Sequence, residues 1–226
     1  MFLISVILIP FNNLQAGDLH ITSIGLGFNF RGEYNRGLGF SHDYSVMGNM
    51  ELNDIFTAGA GFSLGGAGNE FNLKAFTSGH YAPFTNLPLK FNVAYILNAI
   101  PEYEMNSHSI FPWLSWDWRQ AGIALGVSFR FTNFFGSAPV FEPVLSLSGY
   151  YNFWNGENFT AGLRVANFNE FYTGNFGSLS IGLNGRYTLN ERCTLTGALE
   201  LIQSGIDGLS TTFYGVVFTG GVRFLW

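Results

Sequence analysis

The sequence predicts an all-β chain: a transmembrane, antiparallel, up-and-down β-barrel of about ten strands, with eight or twelve as the alternatives. Three observations predict it. Apolar residues alternate with small or polar ones along almost the whole chain, with a period of two and no helical periodicity. Only 11% of the 226 residues are charged while 18% are aromatic, against about a quarter charged in soluble domains. The alternation also runs through "YGVVFTGGVRFLW", residues 214 to 226, up to the carboxyl-terminal Trp226, where a soluble domain would end in frayed polar residues.

The elements follow in order. Residues 2 to 10, "FLISVILIP", form a short apolar run ahead of Leu14-Gln15-Ala16, a small-residue cleavage pattern. Residues 1–16 are therefore expected to be a secretory leader, although the usual Lys or Arg is missing before the run, and 17–226 the barrel domain. The competing reading of the run is a buried first strand. The first barrel segment sets Ile24, Leu26, Phe28 and Phe30 against Ser23, Gly25, Gly27, Asn29 and Arg31. The second, about residues 50 to 64, sets Phe56, Ala58, Ala60, Phe62 and Leu64 against Glu51, Thr57, Gly59, Gly61 and Ser63. A third sets Leu73 and Ala75 against Lys74, and a fourth sets Leu89, Phe91, Val93 and Tyr95 against Lys90 and Asn92.

The clearest segment is "AGIALGVSFRFT", where Ile123, Leu125, Val127, Phe129 and Phe131 oppose Gly122, Ala124, Gly126, Ser128 and Arg130. Leu145, Leu147, Tyr151 and Phe153 carry the sixth segment, and Phe159, Ala161, Leu163 and Val165 the seventh, opposite Arg164. Leu179, Ile181, Leu183 and Tyr187 oppose Arg186 in the eighth; Leu195, Leu199 and Leu201 oppose Glu200 in the ninth. The last opposes Val216, Phe218, Val222, Phe224 and Trp226 to Gly215, Thr219, Gly221 and Arg223.

No charge falls on any apolar face in this reading, and the opposite faces are mostly Gly, Ser, Thr and Asn. A soluble sandwich would turn its apolar faces inward and cover the others with Lys and Glu. Small polar residues suit a confined interior, with the apolar faces turned to lipid. Short connections (65–69, 154–157, 190–192) and long ones (32–49, 78–87, 133–142, 167–176, 203–210) alternate along the chain. Ten strands put both termini at the short-turn end. Residues 100–120, "IPEYEMNSHSIFPWLSWDWRQ", break the regularity and are read as a long connection, with "SIFPWLSW" as an alternative strand. Pro101 and Pro112 argue for irregular backbone there. Trp113, Trp116 and Trp118 are expected to be interfacial aromatics.

The closing "VRFLW" resembles the terminal-strand signal of bacterial outer-membrane β-barrels, whose last residue is commonly aromatic with apolar residues alternating behind it. The resemblance covers about residues 17 to 226 at the level of architecture, and small OmpW-like and OmpA-like barrels are similar in size. It implies residence in the outer membrane among its lipids, and recognition of Val222, Phe224 and Trp226 by the barrel-assembly machinery.

The polar faces carry seven bases: Arg31, Lys74, Lys90, Arg130, Arg164, Arg186 and Arg223. Glu51 and Glu200 are the acids expected to face the lumen, while Glu33, Asp43, Glu102, Glu104, Glu170 and Asp207 are expected in loops and turns. A basic lumen favours anions through its summed field. The structural alternative is a filled lumen in which arginines and glutamates pair. The leading function is thus a small passive pore for small, anionic or amphipathic solutes. A closed scaffold, or a barrel that contacts a host ligand through loops 32–49 and 167–176, is the alternative.

A hydrolase at the rim would need a histidine with a carboxylate partner. His42-Asp43 and His80 fall in segments expected to be extracellular loops, but adjacent strand residues point to opposite faces, so no catalytic residue is assigned. The glycine clusters precede no helix and no Gly-Lys-Ser/Thr, so they do not form a phosphate loop. The single cysteine, Cys193, permits no internal disulfide or multi-cysteine metal site. A net charge of −5 gives no reason to expect nucleic acid. No cofactor and no metal is expected.

Overall fold

The computed structural model describes residues 21–35, 39–52, 56–67, 72–82, 88–134, 136–167, 178–204 and 212–226. The leader expected at 1–16 and most of loop 167–176 lie outside the described residues. Within them, twelve antiparallel strands form one closed barrel. These are β1 (Ile21–Asn35), β2 (Gly39–Leu52), β3 (Phe56–Ala67), β4 (Asn72–Tyr81), β5 (Leu89–Ile100) and β6 (Met105–Trp118). They continue as β7 (Ala121–Asn133), β8 (Val140–Asn155), β9 (Phe159–Ala166), β10 (Ser178–Asn190), β11 (Cys193–Ser204) and β12 (Thr212–Leu225). Each strand pairs with its neighbours in sequence, and β1 closes the tube against β12 from Gly25↔Leu225 to Asn35↔Gly215. No strand edge is left open, so every strand's ladder has partners on both sides, as lipid requires.

The count is twelve, the stated alternative, rather than ten. The two added strands are β2 and β6, read above as the loop 32–49 and the connection 100–120. In β2 the outward positions include His42 and Gly48, and the inward positions include Met47, so the contrast between faces is weak. In β6 the contrast is inverted in the middle of the strand. Phe111 and Trp113 point inward, whereas His108 and Pro112 point out. Pro112 has no N–H to give, and the ladder from β6 to β7 lapses between Ile110↔Phe129 and Trp113↔Gly126 while the ladder to β5 runs on through Val93↔Pro112.

Each missed strand reverses the direction of everything after it, so the two errors cancel from β7 onward. Between them the reading is upside down. The connection 68–71 lies at the end of the barrel away from the termini, and 82–88 lies at the end that holds β1's start and Trp226. Of the four longest connections, 134–139, 167–177 and 205–211 are at the far end and only 82–88 is at the other, which agrees with outer-membrane barrels, where the longer loops are extracellular.

The outer surface is apolar from every side. Ile123 is 68% exposed, and Leu183, Leu199 and Leu125 about half exposed. Exposed aromatics gather at both ends: Trp116, Trp118, Trp154 and Trp226 near the termini, and Tyr34, Phe40, Tyr44, Phe134 and Phe141 at the far end. This is the paired aromatic girdle of a transmembrane barrel, with ring bodies in lipid and polar atoms at the headgroups. The buried residues lie inside the tube, among them Phe76, Ile96, Phe111, Ser128, Ser146 and Val217.

Several large inward side chains lie over a glycine on the adjacent strand. Phe76 covers Gly61 and Tyr150 covers Gly122, and a Cβ at either glycine would collide with the ring. The inward glycines therefore set how thick the lumen wall is, and where rings fold flat against it.

Candidate functional site

All seven bases point into the lumen, because each falls on the face opposite the lipid-exposed residues of its strand. Glu51 and Glu200 do so as well. The structure adds four acids that were expected in loops or not placed. Glu33 and Asp43 lie inward on β1 and β2, Asp117 on β6 and Glu142 on β8. The expected large excess of positive charge is therefore mostly offset, and the cause is the strands missed at β2 and β6, together with the early start of β8.

Three groups of ion pairs result. At the far end Asp43 faces both Arg31 (3.7 Å) and Lys74 (3.3 Å), and Arg31 also reaches Glu33 at 2.7 Å. Their side chains are only 11–21% exposed, so these charges are partly desolvated and their pairing matters more than it would at the surface. Arg130–Glu142 (3.8 Å) and Arg164–Glu200 (3.6 Å) tie β7 to β8 and β9 to β11. At the end near the termini, Asp117 accepts from Lys90 at 2.9 Å and from the Tyr150 hydroxyl at 2.9 Å.

Arg186 and Arg223 stand apart. Among the described residues neither makes an ion pair. They lie inward on β10 and β12, flanking the threonines of β11: Arg186 is level with Thr196 and Arg223 with Thr194. Glu51 accepts a hydrogen bond from Ser23 at 3.1 Å. The uncompensated charge of the described lumen is thus two guanidiniums on one wall against one carboxylate.

Open space runs along the tube as three adjoining cavities. One of about 410 Å³ lies at the far end between Lys74, Met105, Arg130 and Glu142. One of about 310 Å³ lies against β1, β2 and β12, lined by Asn29, Asp43, Asn49, Thr219 and Arg223. One of about 210 Å³ lies toward the termini, lined by Asn49, Phe76, His80, Phe111, Trp113 and Arg223. Lys74 borders the first two, while Met47, Asn49 and Arg223 border the last two.

Of the three tryptophans expected at the interface, Trp116 and Trp118 face outward near the termini, 43% and 68% exposed. Trp113 instead faces the lumen, paired across the strand with Gly126 and stacked on Phe111 with centroids 4.6 Å apart. One-residue alternation in β6 puts it on the face opposite its two neighbours. No composition signal separates an inward indole from an outward one here, and only the register does.

The two histidines considered for chemistry are also re-sited. His42 lies on β2 facing lipid, packed between Phe40 and Tyr44, while Asp43 points inward, so they form no pair. His80 is inward on β4 at the end near the termini, not on the extracellular rim. Val222 and Phe224 face outward on β12, and Trp226 is 65% exposed.

Fold and lumen together define an outer-membrane-type β-barrel with a polar, charge-lined interior. No protein-family model matches the chain, and no curated protein matches it in sequence. Solved structures do match. The NanC porin aligns with a TM-score of 0.58 at 10% identity, covering 87% of this chain and 98% of that one. The KdgM porin in complex with disordered oligogalacturonate aligns at 0.57 and 10% identity, covering 88% and 98%. An outer-membrane channel from Pseudomonas putida F1 aligns at 0.52 and 10%, covering 90% and 94%. These structural neighbours are small outer-membrane channels, and the likeness is one of fold.

Proposed function

We propose that the protein is a narrow passive channel of the outer membrane for small solutes, with a modest preference for anions. The observation that carries this reading is the run of three cavities that share Lys74, Met47, Asn49 and Arg223 as common walls. Much of the remaining lining is Gly, Ser, Thr and Asn, which leave room and hydrogen-bond to water or to a hydroxylated solute. The anion preference comes from Arg186 and Arg223. The paired bases contribute little net field beyond their own partners. Transport is downhill: the barrel supplies a hydrated path through lipid, and the arginines raise the local concentration of anions along it. KdgM's complex with a polyanionic saccharide fits this solute class, and acidic sugars belong among the first solutes to test.

The test is planar-bilayer conductance of the folded protein in a salt gradient. A discrete conductance with a reversal potential on the anion side is expected. A barrel that inserts and folds but carries no current would overturn the channel reading.

A further inference from the structure

The cavity nearest the termini is two-faced, and its faces come from opposite sides of the barrel. β6 and β12 are six places apart in a twelve-strand ring, so they face each other across the lumen. Trp113 from β6 and Arg223 from β12 nevertheless line the same space of about 210 Å³. The tube is therefore spanned by this one cavity, and a solute crossing it passes between an indole and a guanidinium.

The aromatic wall is built in layers. Phe76 lies across Gly61 on β3, and Phe111, which is 1% exposed, backs Trp113 in a near-parallel stack with a 19° interplanar angle. Trp113 is less buried than either phenylalanine, so it is the most exposed of the three rings that line the cavity. Trp113 is held at its stem as well, since the Asn92 amide donates to its backbone carbonyl at 3.3 Å and to Ser115 Oγ at 3.1 Å. Opposite, Arg223 forms no ion pair among the described residues and borders both this cavity and the next. A supported flat ring facing an uncompensated guanidinium matches one kind of solute: a ring whose face stacks on the indole while its carboxylate meets the arginine.

We propose that this cavity is a selectivity site for ring-bearing monocarboxylates. This rests on the channel reading given above and names the solute class for it. The site binds weakly enough to release on either side, because stacking and one charge contact are its whole attraction. A ring acid therefore dwells in the lumen and interrupts the salt current, and acetate, which has the charge without the ring, does not.

The experiment is single-channel recording in potassium chloride, with sodium benzoate, sodium galacturonate and sodium acetate added in turn. Benzoate or galacturonate, or both, should interrupt the current at concentrations where acetate has no effect, and the pattern tells an aromatic acid from a sugar acid. Trp113→Ala should weaken the block about two- to tenfold, the value of one lost aromatic stack, while Trp113→Phe keeps most of it. Arg223→Gln should abolish discrimination between benzoate and uncharged benzyl alcohol. Heat-modifiable migration in detergent gels shows that each variant is folded, and Arg223→Met, which also removes the charge, serves if the glutamine variant is not. Equal effects of acetate and both ring acids, or a block unchanged in Trp113→Ala, would overturn the site and leave the channel standing. Absence of current in potassium chloride would overturn both.

Discussion

Ile24 and Trp226 exchange a pair of backbone hydrogen bonds across the seam that closes the barrel. The Ile24 N–H donates to the Trp226 carbonyl at 3.0 Å, and the Trp226 N–H donates to the Ile24 carbonyl at 2.8 Å. The last residue is thus part of the sheet, and its ring packs 6.3 Å from Phe224 on the lipid side. Deleting Trp226 removes both bonds, for a cost of about 1–3 kcal/mol. Refolding into lipid vesicles followed by urea unfolding should show that loss. If Val222, Phe224 and Trp226 also form an assembly signal, the yield of folded barrel in cells should fall far more than the vesicle stability does. Equal losses in cells and vesicles would leave Trp226 with only a structural role.

Charge selectivity should follow the unpaired arginines and not the paired ones. Arg186→Glu with Arg223→Glu is expected to move the reversal potential toward cation preference. Arg130→Gln with Glu142→Gln removes a pair 3.8 Å apart and leaves the net lumen charge unchanged, so its reversal potential should match the unaltered protein. A shift of similar size in both double variants would mean that the field of the lumen is not set at β10 and β12.

The membrane barrel was legible because lipid imposes a simple rule on outward positions, and β7 obeys it at every step from Ile123 to Phe131. The strand count was not, because β2 and β6 break the rule at His42, Gly48, His108 and Pro112. Three of the four have a local explanation. His42 lies at the far end between aromatic rings, His108 accepts or donates a bond with Tyr95 at 2.7 Å, and Pro112 sits where the ladder to β7 lapses. The inward direction of all seven bases could be read from period two alone. Of their partners only Glu200 could, since Glu33, Asp43 and Asp117 become inward only once the strands beyond the apparent loops are known. Trp113's role was hidden by its company: two outward tryptophans follow it within five residues.

Asp43 is expected to be the most sensitive single charge. It faces Arg31 and Lys74 together, and all three side chains are 16% exposed or less. Asp43→Asn leaves two partly buried cations to share Glu33, so a loss of about 3–5 kcal/mol is expected, as for breaking a buried pair. Glu142→Gln, at a side chain 53% exposed, should cost under about 1 kcal/mol. Urea unfolding of both variants in the same vesicles checks the order, and a smaller loss for Asp43→Asn than for Glu142→Gln would contradict it.

The triad at the other end separates charge from packing. Lys90 and Asp117 are 41% and 33% exposed, so Lys90→Met should change stability by less than about 1 kcal/mol. Asp117→Ala also strips the acceptor from the Tyr150 hydroxyl, which it holds at 2.9 Å, and should cost about 1–3 kcal/mol. The ring of Tyr150 lies where a Cβ on Gly122 would stand, and the other near atom there is the Asp117 carboxylate, so both obstacles are side chains and not backbone. Gly122→Ala is therefore expected to destabilise by about 1–3 kcal/mol through overpacking. Adding Tyr150→Ser should recover part of that loss, because the ring that collides is gone. A double-mutant cycle read by urea unfolding gives the coupling directly. Strict additivity would mean that the ring does not rest on Gly122, whereas a coupling above about 0.5 kcal/mol places Tyr150 flat against β7, with Asp117 holding its hydroxyl from β6.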